Sequence, residues 1–250
     1  APGLGVDDNQ EKDYAFGDVD QDGDQDVICV RKEPWTTPGG RRKVLFMNEG
    51  LTEGHAVNGV LVDRTQQYAT DADDGGQGFL DATNKRDIVL VDVNGDGWLD
   101  AVTAVTISEG MPKTISHPRV YINKGAPEGT WLGFRYEQAR FPQLTTASNP
   151  LVAPRFCSVA FGDIDEDGDN DLYFGDYDSA GAGGSLEELP GNDVNDRLLV
   201  NDGNGFFTDS GTTRMSANML LSAFSMAAQI VDMNGDGYVD VVKDSGLNFP

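Results

Sequence analysis

Cationic side chains are scarce in this 250-residue chain. Lys and Arg total 18 against 42 Asp and Glu, a formal charge of −24. Phosphate backbones and anionic lipid surfaces are held by clustered Lys and Arg, so the imbalance argues against nucleic acid and against membrane association. Long apolar runs are also missing. No stretch reaches the roughly 18 apolar residues of a membrane span, and the nearest, 219–231, is broken by Ser222, Ser225 and Gln229. Cysteine occurs twice, at Cys29 and Cys157, too few for a disulfide framework; one bridge and two buried thiols both stay open. Histidine also occurs twice, at His55 and His117, neither in H-E-x-x-H, and G-x-S-x-G is absent. Both histidines read as solvated loop residues, and no catalytic residue is assigned. Asn-x-Ser/Thr sequons are missing too, which favours a bacterial source. The opening Ala1-Pro2-Gly3 has no signal-peptide pattern and reads as a processed mature end or as a cut inside a longer protein.

What the chain has in excess is aspartate, 32 residues against 10 glutamates. The short carboxylate suits tight turns and hard cations, and its placement is periodic. Four segments align without gaps as D-x-[DN]-x-D-G-x-x-D, at 18–26, 92–100, 163–171 and 232–240, with starts 74, 71 and 69 residues apart. Calcium takes 6–8 oxygen ligands, and a loop wrapped round it offers side-chain oxygens from positions 1, 3, 5 and 9. The first loop supplies Asp18, Asp20, Asp22 and Asp26; the second Asp92, Asn94, Asp96 and Asp100. The third supplies Asp163, Asp165, Asp167 and Asp171; the fourth Asp232, Asn234, Asp236 and Asp240. Glycine at position 6 permits the sharp turn. Position 7 is expected to give only its carbonyl, which accounts for the variety of Asp24, Trp98, Asp169 and Tyr238 there. About four Ca2+ sites follow.

An EF-hand shares the opening of this pattern but needs Glu at position 12 and a helix on each side. Position 12 here is Cys29, Thr103, Phe174 or Lys243, which excludes EF-hands and dockerin-like loops. The flanks, such as Tyr14–Gly17 and Val27–Val30, are short, β-branched and aromatic, so each loop joins two antiparallel strands. Two further strands follow in each complete period: 44–48 and 59–63, 119–123 and 134–137, 197–201 and 206–209. Asn-x-Gly after each third strand suits a turn with positive φ. The expected fold class is therefore all-β, a β-propeller of four-stranded antiparallel blades with the acidic loop between strands A and B.

The sequence resembles the FG-GAP/VCBS repeat family, the calcium-binding propeller repeats of integrin α-chains and many secreted bacterial proteins. The residues that carry the resemblance are Phe16-Gly17, Phe161-Gly162, the four loops and the run 198–209. Repeats two and four lack Phe-Gly. The blades are placed at 14–85, 86–156, 157–226 and an incomplete 227–250 in one domain. Seven blades are usual in the family, so about three and a half imply a partial propeller, completed by further blades from the same or another chain. The resemblance also implies a protein or carbohydrate ligand on the face opposite the acidic loops. There the long connections 31–43, 106–118 and 176–196 lie, with Trp35 amid basic residues as a stacking candidate. The glycine-rich 180–185 reads as a flexible loop, and 71–79, a broken copy of the acidic motif, as a turn. The expected function is a secreted or cell-surface calcium-stabilised binding module for recognition or adhesion, because sites that fill at millimolar calcium work outside the cytosol. A polysaccharide-lyase-like enzyme or its accessory domain, and a structural subunit of an extracellular assembly, are the alternatives.

Overall fold

The computed structural model describes residues 11–31, 41–49, 59–83, 85–105, 117–145, 153–177, 195–220 and 225–245. Alternating apolar residues and β-branched runs give fifteen strands there, grouped in four sheets. The first sheet is a meander of β1 (Glu11–Gly17), β2 (Asp26–Arg31), β3 (Val44–Asn48) and β4 (Leu61–Asp63), all antiparallel. In the second, β5 (Asp71–Ala72) precedes β6 (Lys85–Val91), β7 (Asp100–Val105), β8 (Arg119–Asn123) and β9 (Phe134–Tyr136). The third repeats the meander with β10 (Phe156–Gly162), β11 (Asp171–Asp176), β12 (Arg197–Asn201) and β13 (Phe207–Asp209). The fourth is the pair β14 (Ser225–Val231) and β15 (Asp240–Ser245).

The 71–79 segment corrects the sequence reading. Instead of a plain turn, β5 adds a fifth strand, parallel to β9 and paired through Asp71–Arg135 and Ala72–Tyr136. Phe79, which stands where the motif would want its last Asp, is fully buried against Tyr121 and Phe134. A second correction concerns the connectors. One helical turn follows each fourth strand, at Thr65–Tyr68, Gln138–Arg140 and Gly211–Arg214. Side chains at the strand ends start two of these turns: Asp63 accepts from the Thr65 amide and Asp209 from the Gly211 amide.

The period-2 rule explains how the sheets stack. In β7 and β8, Ala101 and Tyr121 point to the first sheet, while Val102, Ala104, Val120 and Ile122 point to the third. The second sheet is thus buried on both faces, and every residue of β7 and β8 is buried. Successive first strands β1, β6, β10 and β14 pack side by side, so the sheets follow one another as blade-like layers. Two apolar clusters fill the first two gaps, one around Ile28, Phe79, Tyr121 and Trp131, the other around Phe141, Phe156, Phe174 and Phe207.

Cys29 and Cys157 are both buried, in different sheets, and form no disulfide. His117 is buried too, contrary to the solvated reading. Its Nε2 accepts from the Leu144 amide, and its carbonyl accepts from the Lys85 ammonium at 3.0 Å. His55, Trp35 and the 180–185 run lie outside the described residues.

Candidate metal centres in the hairpin loops

Each acidic segment joins the first two strands of its sheet, as the flanking residues require. Position 1 organises the loop. Asp18 accepts from the amides of Asp22 and Gly23, Asp163 from Asp167 and Gly168, Asp92 from Gly95 and Gly97, and Asp232 from Gly235 and Gly237, all between 2.7 and 3.1 Å. The glycine at position 6 sits at φ +100, +85, +96 and +94° in the four loops, a conformation that a side chain would strain. Position 4 is left-handed as well. The second and fourth loops use Gly95 and Gly235 there, whereas the first and third force Gln21 (φ 58°) and Glu166 (φ 62°) into it, at a cost of roughly 1–2 kcal/mol each.

Position 9 does more than the sequence reading assigned to it. One oxygen of Asp26, Asp100, Asp171 and Asp240 closes its own loop by accepting the amide of position 2. In the three complete units the other accepts the amide that ends the third strand, from Asn48, Asn123 or Asn201, at 2.7–2.9 Å. The Asn-x-Gly turns were expected to need positive φ, and Gly125 and Gly203 adopt it; the asparagine side-chain amides have a further role that the turn reading did not include. Asn123 Nδ2 donates to the Leu99 carbonyl of its own loop and to the Val19 carbonyl of the preceding loop. Asn201 repeats this with the carbonyls of Asn170 and Val93. Neighbouring loops are thereby bolted together.

The donor sets of the four loops differ. In the first loop, carboxylate oxygens of Asp18, Asp20 and Asp22 lie within 4.8 Å of one another; in the third, those of Asp163, Asp165 and Asp171 do. Buried carboxylate oxygens without a partner accompany both sets: Asp20 Oδ1 and both oxygens of Asp24 in the first, Asp165 Oδ1 and Asp169 Oδ1 in the third. A buried acceptor left without a donor costs about 1–3 kcal/mol, more when charged, so these oxygens fit a hard cation. Asp24 and Asp169 stand at position 7, where only a carbonyl was expected. In the second loop, Asn94 replaces a carboxylate and its Nδ2 donates to Asp96 at 3.0 Å. The second and fourth loops thus bring together fewer carboxylates, with an amide oxygen in the set.

Electrostatics agree with this inventory. Burial, followed by the neighbouring aspartates, pushes Asp20 and Asp169 up to about 6. Burial pushes Asp26 and Asp100 up to about 7, against the amides that they accept. Carboxylates crowded this way are short of positive charge.

The opposite end of the sheets buries cationic side chains. Lys43, Lys85, Arg31, Arg119, Arg155 and Arg197 sit at strand ends away from the acidic loops and are buried. The Lys43 ammonium reaches the Thr83 hydroxyl at 2.9 Å and lies over the Tyr121 ring; Arg119 meets Asp81 at 2.9 Å and stacks on Tyr136. Desolvation holds both lysines well below the usual ammonium range. Nothing in the sequence marked these residues as buried.

Residues 92–174, from the first Asp of the second loop into the second strand of the third hairpin, match the family model described as FG-GAP-like repeat. The match bears out the resemblance read from the loops over that segment. No curated protein matches the chain.

Proposed function

We propose that this chain is a calcium-stabilised β-propeller module that binds an extracellular partner through the end of its sheets opposite the acidic loops. The observation that carries the metal reading is the set of buried, partnerless carboxylate oxygens converging in the first and third loops. Ca2+ supplies the charge that those oxygens lack; the chain's own role is to hold them in place through the amide bonds of positions 1 and 9. The first and third loops are the tighter sites, and the second and fourth, with Asn94 and Asn234, the weaker ones. Sites of this class fill at about 10⁻⁴–10⁻³ M calcium, which supports an exported location. No helix among the described residues is long and apolar enough to cross a membrane.

Calorimetric melting in EGTA and in 10 mM calcium tests the metal. Saturation at about 100 times Kd adds roughly 2.7 kcal/mol per site, so calcium should raise Tm by at least 5 °C. Asp20→Asn and Asp165→Asn should each remove part of that rise. An identical Tm with and without calcium ends the proposal.

The partner surface is the end of the sheets that the acidic loops leave free. The basic side chains there are buried and engaged within the protein, Arg119 with Asp81 and Lys43 with Thr83, so the partner, a protein or a glycan, is held by the connections at that end and not by those charges. Retention on immobilised glycans or a protein partner in calcium, lost in EGTA, is the expected result. Retention that is the same with and without calcium would separate the partner surface from the metal reading.

A further inference from the structure

The first and second sheets enclose a polar cluster that neither the metal nor the partner surface uses. It lies at the end of the sheets away from the acidic loops. By the period-2 rule Arg119 and Tyr121 of β8 point the same way, toward the first sheet, and Tyr136 of β9 stands opposite Tyr121 in the register. Lys43, the residue before β3, brings its ammonium to 5.2 Å from the centre of the Tyr121 ring. The Arg119 guanidinium lies 4.2 Å over the Tyr136 ring, and the two tyrosine rings are 5.6 Å apart. Lys85, at the start of β6, completes the group. After desolvation, it is the nearness of Lys43 and Arg119 that depresses the Lys85 ammonium, and Arg119 does the same to Lys43. All five side chains are 3% exposed or less.

What the cluster lacks is acceptors. A protonated lysine carries three N–H donors. Lys43 directs one at the Thr83 hydroxyl and Lys85 one at the His117 carbonyl. Arg119 meets Asp81 at 2.9 Å and comes within 3.9 Å of Asp74, but its Nε has no partner. The hydroxyls of Tyr121 and Tyr136 have none either. Among the described residues no carboxylate forms an ion pair with either lysine. Donors from three cations and two phenols are therefore enclosed together with too few oxygens to receive them, an arrangement that a folded interior avoids.

We propose that this cluster binds one small inorganic oxyanion, of the sulfate or phosphate class, between the first and second sheets, through Lys43, Lys85, Arg119 Nε and the hydroxyls of Tyr121 and Tyr136. A tetrahedral oxyanion brings several acceptor oxygens and the negative charge that the lysines lack, and hydrogen bonds to an ionised acceptor are the strong kind. The bound anion fastens the two sheets at the end that the acidic loops do not reach. The site depends neither on the metal nor on the partner surface.

Because the site is enclosed, the anion enters as the sheets close. The whole chain is therefore refolded from urea in sulfate and, at equal ionic strength and calcium, in the bulky anion gluconate, and the two melting temperatures are compared. Sulfate should raise Tm in a saturable way. Tyr121→Phe, which removes one hydroxyl and keeps the ring, should weaken sulfate about tenfold, and Lys43→Met should abolish the rise. Lys12→Met, at an exposed position of β1, should leave the rise at the parent value. Circular dichroism checks folding, and Tyr121→Phe carries the test if Lys43→Met does not fold. In crystals of protein refolded in selenate, a selenium peak should stand among the five side chains. A Tm that follows ionic strength alone, a rise that Tyr121→Phe retains in full, or a cluster holding only water in those crystals would each overturn the proposal.

Discussion

Asn123 is the residue on which most of the polar order between two sheets converges. Its Nδ2 bridges two loops, and its Oδ1 accepts the Gly125 amide at 3.0 Å and the Trp131 indole N–H at 2.8 Å. Truncation strands two carbonyls and two donors in a buried place, at about 1–3 kcal/mol for each group that finds no water. Asn123→Ala should therefore cost roughly 3 kcal/mol or more, a drop in Tm of about 6–12 °C, read by calorimetry in saturating calcium. A shift of less than 1 °C would show that water replaces the amide. This role was not legible in the sequence, because Asn followed by Gly two residues on is also what an ordinary turn requires. The clue was the recurrence of Asn48, Asn123 and Asn201 at one position in three units whose following residues differ. His117, Lys43 and Lys85 were illegible for another reason. Burial of a polar loop residue is decided by what tertiary packing brings over it, and local pattern is silent on that.

Among the elements, third strands were readable to the residue, since β3, β8 and β12 are compact β-branched or aliphatic runs closed by Asn. First strands run two to three residues further toward their N-termini than the apolar pattern indicated, because Glu11 and Lys85 sit where pairing with the second strand outweighs composition. The helical turns of three or four residues and the two-residue β5 escaped detection because neither is long enough to show a period. The first strands also carry a proton-linked contact. Asp87 Oδ2 accepts the Val159 amide at 2.8 Å, and Asp13 and Asp87 both accept from the Ile88 amide, so three sheets meet at this carboxylate pair. Burial, then the hydrogen bond to Asp13, pushes Asp87 up to about 8. An unfolded Asp titrates near 3.9, so at neutral pH the folded state holds a proton that the unfolded state has released. The resulting stabilisation is full below about pH 4 and is lost as pH rises through 8. In EGTA, Tm should fall between pH 6 and 9, and Asp87→Asn should flatten that fall. A parent and variant with parallel pH profiles would show that the pair is not the origin.

At the scale of the whole molecule, the all-β architecture and the position of each acidic loop between first and second strands followed from spacing and flanks, because both depend on short-range rules. What spacing could not supply is the way one sheet fits the next. Gly17 against Leu90, and Gly162 against Ile230, are contacts between residues about 70 positions apart. That fit governs how such a stack can change length. Loss or gain of a single unit would part each glycine from the branched side chain it accommodates, whereas a change by two neighbouring units at once would keep such pairs matched.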